Sequence, residues 1–359
     1  MNEIRYEPFS VCFNVLKIKY STYDESLGQL NFLNPDDKVN IFINLESVFK
    51  NLSMILDLEQ KILLQRDFEQ LLISNIINLA AHYKKFFTSN GLDTKVYMYH
   101  TDFNSDEFPQ YKYNEDFRTY YLVKYNQNPK ILLLTDRLKD FILPRVKTIV
   151  DFIPNVYYLS SHNIEGSLVP YIIAKQDVSR KNLIVGGELY DTQYSSIPNF
   201  VNHYIHRSFN VNKIYNTVSG YLTDIAKKSE EFSDIYNNYN VYCSLMAVLG
   251  NKIRSIDSLP GIGIKTFEKL FNEGIMNNII QENTSSPEMI CEIFKDKELE
   301  DEFINNYYCS TILNMYQDLN ESDIGSVLTQ LIDRSDINSL YSLNNSQFYK
   351  YPLILDGLL

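Results

Sequence analysis

The sequence predicts an α/β fold with a mainly parallel sheet, followed by an all-α C-terminal part. Short apolar segments rich in β-forming residues alternate with segments of helical periodicity up to about residue 200. Strands that alternate with helices indicate βαβ units, in which the strands are parallel. Beyond residue 200 the periodicity becomes helical, and a Pro-Gly-Ile-Gly turn opens one of the predicted helices.

The predicted α/β part begins at about residue 39. Residues 1–38 are expected to form an irregular N-terminal extension that ends in a turn-like Asn-Pro-Asp-Asp segment. Residues 39–45 have the pattern of a short apolar strand, which a parallel sheet buries on both faces. The other predicted strands are 95–100, 131–135, 156–160 and 182–187, and the helices between them are 59–87, 136–151 and 164–175.

The C-terminal part is predicted to be helical throughout. Its helices are expected at 217–232, 238–249, 264–272, 287–295, 298–317 and 321–333. The chain is therefore divided into an extension at 1–38, an α/β core at 39–200 and a helical part at 201–359. Because no long Pro- or Gly-rich linker separates the two main parts, we expect one continuous particle.

The composition favours a soluble, intracellular protein with protein partners. The net charge is −12, and a protein that mainly grips phosphate normally has a basic surface, so DNA is the less favoured partner. No apolar run reaches membrane-spanning length, and no signal pattern opens the chain. The Asn- and Ile-rich composition is typical of an AT-rich genome, which suggests the cytoplasm of a low-GC bacterium or a phage-infected host, or a virion. The cysteines are widely spaced, which favours reduced thiols: Cys12, Cys243, Cys291 and Cys309.

The most specific local motif is a hairpin at 259–266 with the sequence Leu-Pro-Gly-Ile-Gly-Ile-Lys-Thr. This motif is typical of a helix-hairpin-helix element, here near 256–272. The glycines allow the backbone to approach a phosphate, and the free amides at the helix start bind the anion together with the lysine. The predicted phosphate-binding residues are Gly261, Gly263, Lys265 and Thr266. A plain glycine-bearing turn between two helices is the alternative interpretation.

From about residue 38 to the end, short motifs resemble in order those of the 5′-nuclease family, which includes flap endonucleases and phage RNase H. The resemblance implies a PIN-like core with a helix-hairpin-helix. The matching segments are VNIFINLES at 39–47, the region from 95 to 118 with Tyr111, Lys112 and Arg118, the segment 164–174, the turn 186–193, and the approach to the hairpin at 249–261.

The resemblance also implies a site for two divalent cations, which the family's acidic residues hold and which hydrolyse a phosphodiester. Here, most of the implied aspartate positions carry residues that are poor ligands for Mg²⁺, which prefers anionic oxygen ligands. The changed positions are Asn44, Ser167, Leu168, Tyr190 and Asn251, whereas Glu165 and Glu188 keep a carboxylate. We therefore expect an inactive relative without a cofactor, which serves as a DNA-binding or structural component of a phage.

An active enzyme is the alternative. In that interpretation the chain is a Mg²⁺-dependent 5′-3′ exonuclease or flap endonuclease whose carboxylates have been relocated. The relocated set would be Glu46, Asp102, Glu165, Glu188 and Asp191. If any metal is bound, Glu165, Glu188 and Asp191 are the expected ligands.

Three further patterns have ordinary structural explanations. His203 and His206 are spaced as two ligands on one helical turn, but surface or packing histidines are favoured. The basic residues in 124–139 are expected to form a solvated loop. Several tyrosines could stack on nucleic-acid bases, although core and surface use is favoured in a chain so rich in tyrosine: residues 97, 99, 111, 113, 120 and 121.

Overall fold

A six-stranded sheet forms the centre of the fold in the part of the chain that the structure describes. The structure is a computed structural model that describes residues 20–30, 34, 36–45, 47–48, 66–101, 142–161, 164–186, 189–205, 212–226, 234–250, 256–270, 297–317 and 319–332. The strands are β1 (Lys38–Asn44), β2 (Asp93–Thr101), β3 (Val156–Ser161), β4 (Lys181–Gly186), β5 (Phe200–Ile205) and β6 (Asn212–Tyr215). Their order is β3-β2-β1-β4-β5-β6, with β6 antiparallel to β5 and the other pairs parallel.

Helices cover both faces of the sheet and make up the C-terminal part. They are α1 (Tyr20–Leu27), α2 (Arg66–Ser89), α3 (Leu143–Val150), α4 (Val169–Ala174), α5 (Leu189–Gln193), α6 (Val218–Ala226), α7 (Tyr239–Leu249), α8 (Ile264–Leu270), α9 (Lys297–Ser310), α10 (Ile312–Gln317) and α11 (Glu321–Ile332). Short 3₁₀ turns lie at Gly166–Leu168, Tyr194–Ser196 and Asp234–Asn237. The predicted α/β class with a helical C-terminal part is confirmed.

Alternation along the strands separates two apolar cores. Ile41 and Ile43 of β1 pack in a cluster with residues of α1, α2 and α3. Phe42 lies on the opposite face, in a second cluster with residues of α4, α10 and α11. Each such fully buried side chain contributes about 2 kcal/mol through removal of apolar surface from water. A third cluster joins α7, α8 and α9 below the hairpin.

Most of the predicted elements that fall on described residues are present. The helix predicted at 59–87 is present in its described part: α2 ends at Ser89, and Gly91 follows with φ of +82°. The segment predicted as one helix at 164–175 divides into a 3₁₀ turn and α4, with Pro170 in the first turn of α4. The strand expected at 131–135 and the helix expected at 287–295 lie outside the described residues.

Two expectations about secondary structure are wrong. Helices do not begin at 201, because β5 and β6 extend the sheet through Tyr215. Phe200, Val201 and the two polar residues after them are all buried, so β5 lacks the alternation that identifies a half-buried strand. The extension at 1–38 is not irregular throughout either: α1 packs against the first core through fully buried Tyr23. The domain boundaries themselves remain predictions.

The amino edge of the sheet is held by a buried arginine. Arg180 donates to Asn40 Oδ1 at 2.7 Å from Nε and to Asp93 Oδ2 at 2.8 Å from Nη1. These bonds join the start of β1, the start of β2 and the segment that leads into β4. The hydrogen bond from Arg180 is the main reason that the pKa of Asp93 lies below its usual value.

Candidate functional site at the carboxyl edge of the sheet

The carboxyl ends of β1, β2 and β4 meet at one edge of the sheet, where open α/β sheets bind their ligands. Asn44 is the last residue of β1 and is in register with Tyr99 of β2. Gly186 ends β4, and α5 begins at Leu189, close behind it. The strand ends therefore bring Asn44 and Tyr99 beside the acidic residue of α5, Asp191.

Asp191 is fully buried, and its described hydrogen-bond donors include the side chains of Asn44, Ser47 and Tyr99. Asn44 Nδ2 lies 3.0 Å from Oδ1 and 3.2 Å from Oδ2 of the carboxylate. The Ser47 hydroxyl donates to Oδ2 at 3.2 Å, and the Tyr99 hydroxyl donates to Oδ1 at 3.3 Å. We call these four residues the edge cluster. Its carboxylate is neutralised in part by hydrogen-bond donors from the chain itself.

The orientation of the Asn44 amide follows from its second contact. The backbone N–H of Ser47 donates to Asn44 Oδ1 at 3.3 Å. A backbone N–H can only donate, so the atom that faces it must be the amide oxygen. The amide nitrogen of Asn44 therefore faces Asp191, and it presents a donor where a metal ligand would present a lone pair.

Gly186 leaves the space that the Asp191 carboxylate fills. A Cβ on residue 186 would lie 2.1 Å from Asp191 Oδ2, 2.7 Å from its Cγ and 3.3 Å from the Cβ of Asn44. A side chain of any size is thus excluded by the close approach of the carboxylate to the backbone. The end of β4 is shaped to enclose Asp191.

The negative charge of Asp191 affects the pKa of a neighbouring tyrosine. Burial, and then the nearby Asp191 carboxylate, raise the pKa of Tyr194 well above its ordinary value. The Tyr194 hydroxyl donates to the backbone oxygen of Ser167 at 2.5 Å. This bond ties the 3₁₀ turn of Ser167 to the segment that follows Asp191.

Only some of the other predicted site residues are among the described residues. Glu165 and Ser167 are buried around the 3₁₀ turn, which packs against β2 and α10, and Leu168 is part of the apolar core of that face. For Tyr190 only the backbone is described, in the first turn of α5. Glu46, Asp102, Glu188 and Asn251 lie outside the described residues.

The sequence did not predict two members of the edge cluster as partners of the carboxylate, and it assigned the family position of the third to the preceding residue. The motif alignment placed Asp191 one residue beyond the family position that it assigned to Tyr190, yet Asp191 is the carboxylate that contacts Asn44. Ser47 and Tyr99 were not predicted as its partners. The parallel register of β1 and β2 could have identified Tyr99, because it places that residue beside Asn44.

The residues of the edge cluster do not fit a pair of divalent cations. Such cations need several anionic oxygens that converge, whereas here one carboxylate faces an amide N–H and two hydroxyl groups. Within the described ranges, no group of three or more His, Cys, Asp or Glu side chains could hold a metal ion. The arrangement is that of a buried polar cluster whose donors and acceptor satisfy one another.

Helix α5 also connects the edge cluster to the helical part. The hydroxyl groups of Thr192 and Tyr242 lie 2.6 Å apart. Gln193 Oε1 accepts from the Tyr239 hydroxyl at 3.2 Å and from the Ile312 backbone N–H at 3.2 Å. Three consecutive residues therefore contact the sheet edge, α7 and the start of α10.

The predicted hairpin follows α7 and has an exposed tip. Gly261 adopts φ of +74°, which favours glycine, and α8 begins at Ile264. Leu259 and Phe267 are buried at its base. The four residues predicted to contact phosphate are exposed at its tip: Gly261, Gly263, Lys265 and Thr266.

The remaining sequence patterns have structural roles where they are described. His203 lies in β5, not on a helix, and it is buried with its Nδ1 2.7 Å from the Tyr83 hydroxyl. Tyr97 is buried and stacks between Phe42 and Tyr157, with 5.0 Å between ring centroids on each side. His206, Tyr111, Tyr113, Tyr120, Tyr121 and the segment 124–139 lie outside the described residues.

The buried Cys243 is a free thiol. Burial raises the pKa of this thiol, which makes it a poor nucleophile. Among the helices of the described segments, none has the length and apolar character that a membrane span requires.

Comparison with solved structures identifies the fold. The bacteriophage T5 5′-exonuclease with bound zinc is similar with a TM-score of 0.52 at 10% sequence identity, over 83% of this chain and 100% of that chain. A pseudo-enzyme–product complex of the bacteriophage T5 flap endonuclease with DNA and metal ions is similar with a TM-score of 0.51 at 12% identity, over 82% and 100% of the two chains. No family profile and no curated protein sequence matches the chain. The chain therefore has the 5′-nuclease fold.

Proposed function

We propose that this chain is a non-cleaving relative of the phage-type 5′-nucleases that binds DNA through its hairpin. One observation carries the proposal that it does not cleave: the Asn44 amide donates to both oxygens of Asp191. A donor at this position repels a cation and leaves the carboxylate with a neutral partner. Among the described residues at this edge, side chains of the chain itself thereby take up the acceptor positions of the Asp191 carboxylate.

The hairpin supports DNA binding as the retained activity. Its tip exposes two glycines and Lys265, while its base is buried. A Cβ added to Gly263 would meet no atom within 4 Å, so this backbone is open to a ligand from the solvent side. One of the similar solved structures contains DNA, which agrees with a phosphate-contacting surface somewhere on this fold.

A protein-interaction scaffold is the second candidate. The net charge of −12 favours it, because a chain with 45 acidic and 33 basic residues is repelled by DNA outside any local basic surface. In this candidate the fold serves as an assembly component and the hairpin is only a structural turn.

An active enzyme is the third candidate, and the position of Asp191 favours it. This carboxylate lies at the expected edge, as the relocated-ligand interpretation requires. Activity would further require Mg²⁺ and carboxylates from Glu46, Asp102 or Glu188, besides Glu165.

A single titration separates the three candidates. Wild-type protein and Lys265→Ala are titrated against flap and duplex DNA in a mobility-shift assay, with Mg²⁺ or Mn²⁺ present and strand cleavage monitored in the same samples. We expect retention without cleavage, together with weaker retention by Lys265→Ala. Metal-dependent cleavage by the wild type would establish the enzyme instead. Absence of both cleavage and retention would favour the scaffold.

A further inference from the structure

The carboxyl end of α7 is capped by the hairpin and by α9. The last carbonyl groups of a helix have no donors within it and must find partners elsewhere. Val248 O accepts from the backbone N–H of Leu259 at 2.9 Å, which brings the base of the hairpin back onto α7. Ala247 O accepts from Asn306 Nδ2 of α9 at 3.0 Å.

Asn306 bridges α7 to the segment that enters the hairpin. Its Nδ2 also donates to Asp257 O at 2.9 Å, so both amide protons are used on backbone carbonyl groups. The side chain is largely buried, with 8% of the residue exposed. Solvent therefore competes little for these two hydrogen bonds, and loss of the donor would leave buried carbonyl groups without a partner.

The same face of α9 supports the apolar base of the hairpin. Phe303 and Tyr307 flank Asn306 on α9 and are buried in one cluster with Leu259 and Phe267. Apolar contacts hold the base of the hairpin against α9, but they have little directional preference. The two hydrogen bonds of Asn306 are directional and therefore set the orientation of the hairpin relative to α7.

Residues 256–258, which lead into the hairpin, pack closely against Gly250, and this contact restricts their position. Gly250 has φ of +65°, and a Cβ there would lie 2.5 Å from Ile256 O and 2.6 Å from Ser258 N. Residues 256–258 thus lie directly against the end of α7. Asp257 O, which belongs to this segment, accepts the hydrogen bond from Asn306.

We propose that Asn306 is a positioning residue for the hairpin. It locks residues 256–258 onto α7, so that the exposed tip has one orientation toward its ligand. The consequence for DNA rests on the proposed function, whereas the lock itself does not. A positioning residue raises the fraction of molecules that are ready to bind and makes no contact with phosphate. It should change affinity without changing the number of counterions released.

The test compares three variants of the full chain with the wild type. Asn306→Asp has the same shape but places an oxygen against two carbonyl oxygens, and Asn306→Gln keeps the donor. Asn314→Asp is the matched control, because Asn314 is also a buried asparagine but lies on α10, outside the cluster that holds the hairpin. Amide hydrogen exchange is measured at Leu259 and Phe267, and binding of a fluorescein-labelled flap duplex is measured over a salt series.

We expect Asn306→Asp to exchange at least about tenfold faster at Leu259 and Phe267, with strands β1 and β4 unchanged. Its DNA affinity should fall about tenfold with an unchanged slope of log affinity against log salt. Asn306→Gln should recover part of both losses, and Asn314→Asp should not accelerate exchange in the hairpin selectively. If Asn306→Asp does not fold, Asn306→Ala replaces it, with the same expectations.

Unchanged exchange in the hairpin of a folded Asn306 variant would overturn the proposal, whatever the DNA result. So would wild-type affinity in a variant whose hairpin exchanges fast, because orientation would then not matter to binding. If the wild type binds no DNA, the proposed function fails, but selective acceleration of exchange would still establish the lock. The two proposals therefore fail by different measurements.

Discussion

The edge cluster and the hairpin are the two parts of this chain at which the resemblance predicts contact with phosphate, and they differ in how their polar groups are used. In the edge cluster, the Asp191 carboxylate is buried and receives donors from Asn44, Ser47 and Tyr99. At the hairpin, the tip with Lys265 is exposed to solvent. Polar groups that satisfy one another inside a protein stabilise it, whereas exposed donors remain open to a ligand. Changes at the edge should therefore affect folding, and changes at the hairpin should affect binding.

The largest effect is expected from Gly186→Ala. The new Cβ would lie 2.1 Å from Asp191 Oδ2, and the carboxylate is enclosed and cannot move aside without loss of its hydrogen bonds. We expect a loss of about 3 kcal/mol in the free energy of unfolding, measured by urea denaturation. A loss under about 0.5 kcal/mol would show that the carboxylate does not lie against the strand.

The cause can be isolated with a double-mutant cycle. Because Asp191→Ala removes the atoms that clash, Gly186→Ala should cost much less in that background than in the wild type. The matched control is Gly263→Ala at the hairpin, where an added Cβ meets nothing within 4 Å. Equal costs of Gly186→Ala in the two backgrounds would rule out the carboxylate as the cause.

A smaller loss, about 2 kcal/mol, is expected for Asp191→Asn. An amide keeps the shape of the carboxylate but offers one acceptor atom, so at least one of the three donors that converge on it loses its partner. Thermal unfolding of the variant beside the wild type provides the measurement. An unchanged unfolding temperature would mean that the donors find other partners in the variant.

Loss of the Lys265 side chain at the hairpin tip should barely change stability. For Lys265→Ala we expect a change in the free energy of unfolding within about 0.5 kcal/mol, because the side chain is exposed. Loss of one phosphate contact should lower the slope of log affinity against log salt by roughly one unit in a DNA-binding titration. An unchanged slope would remove Lys265 from the DNA contact.

The sequence was sufficient for the parts of the fold that have regular patterns. The apolar run at 39–45 and the glycine stop after α2 both identify their elements, because burial and a positive φ each select residue types. Strand β5 was missed because Asn202 and His203 are as buried as their apolar neighbours. For His203, the hydrogen bond with Tyr83 permits this burial, and such a tertiary contact leaves no local periodic signal.

The candidate site was only partly predictable for a different reason. The resemblance to the 5′-nuclease motifs pointed to the end of β1 and to the turn after β4, where Asn44 and Asp191 lie. It could not decide between adjacent residues, and Asp191 rather than residue 190 supplies the carboxylate beside Asn44. Which of two neighbours faces inward depends on where α5 begins relative to β4, and no local pattern encodes that position.

We propose that the Asn44 amide takes the place of a cation beside Asp191, and a Mn²⁺ titration of wild type and Asn44→Asp tests this claim most directly. Thermal unfolding is followed in EDTA and then with Mn²⁺ up to about the millimolar level at which weak carboxylate sites fill. In EDTA, Asn44→Asp should unfold a few degrees lower, because two carboxylates then face each other where Nδ2 now lies 3.0 Å from Oδ1. Mn²⁺ should restore that loss in the variant and leave the wild type unchanged. Stabilisation of the wild type by Mn²⁺ in the same range would contradict the claim.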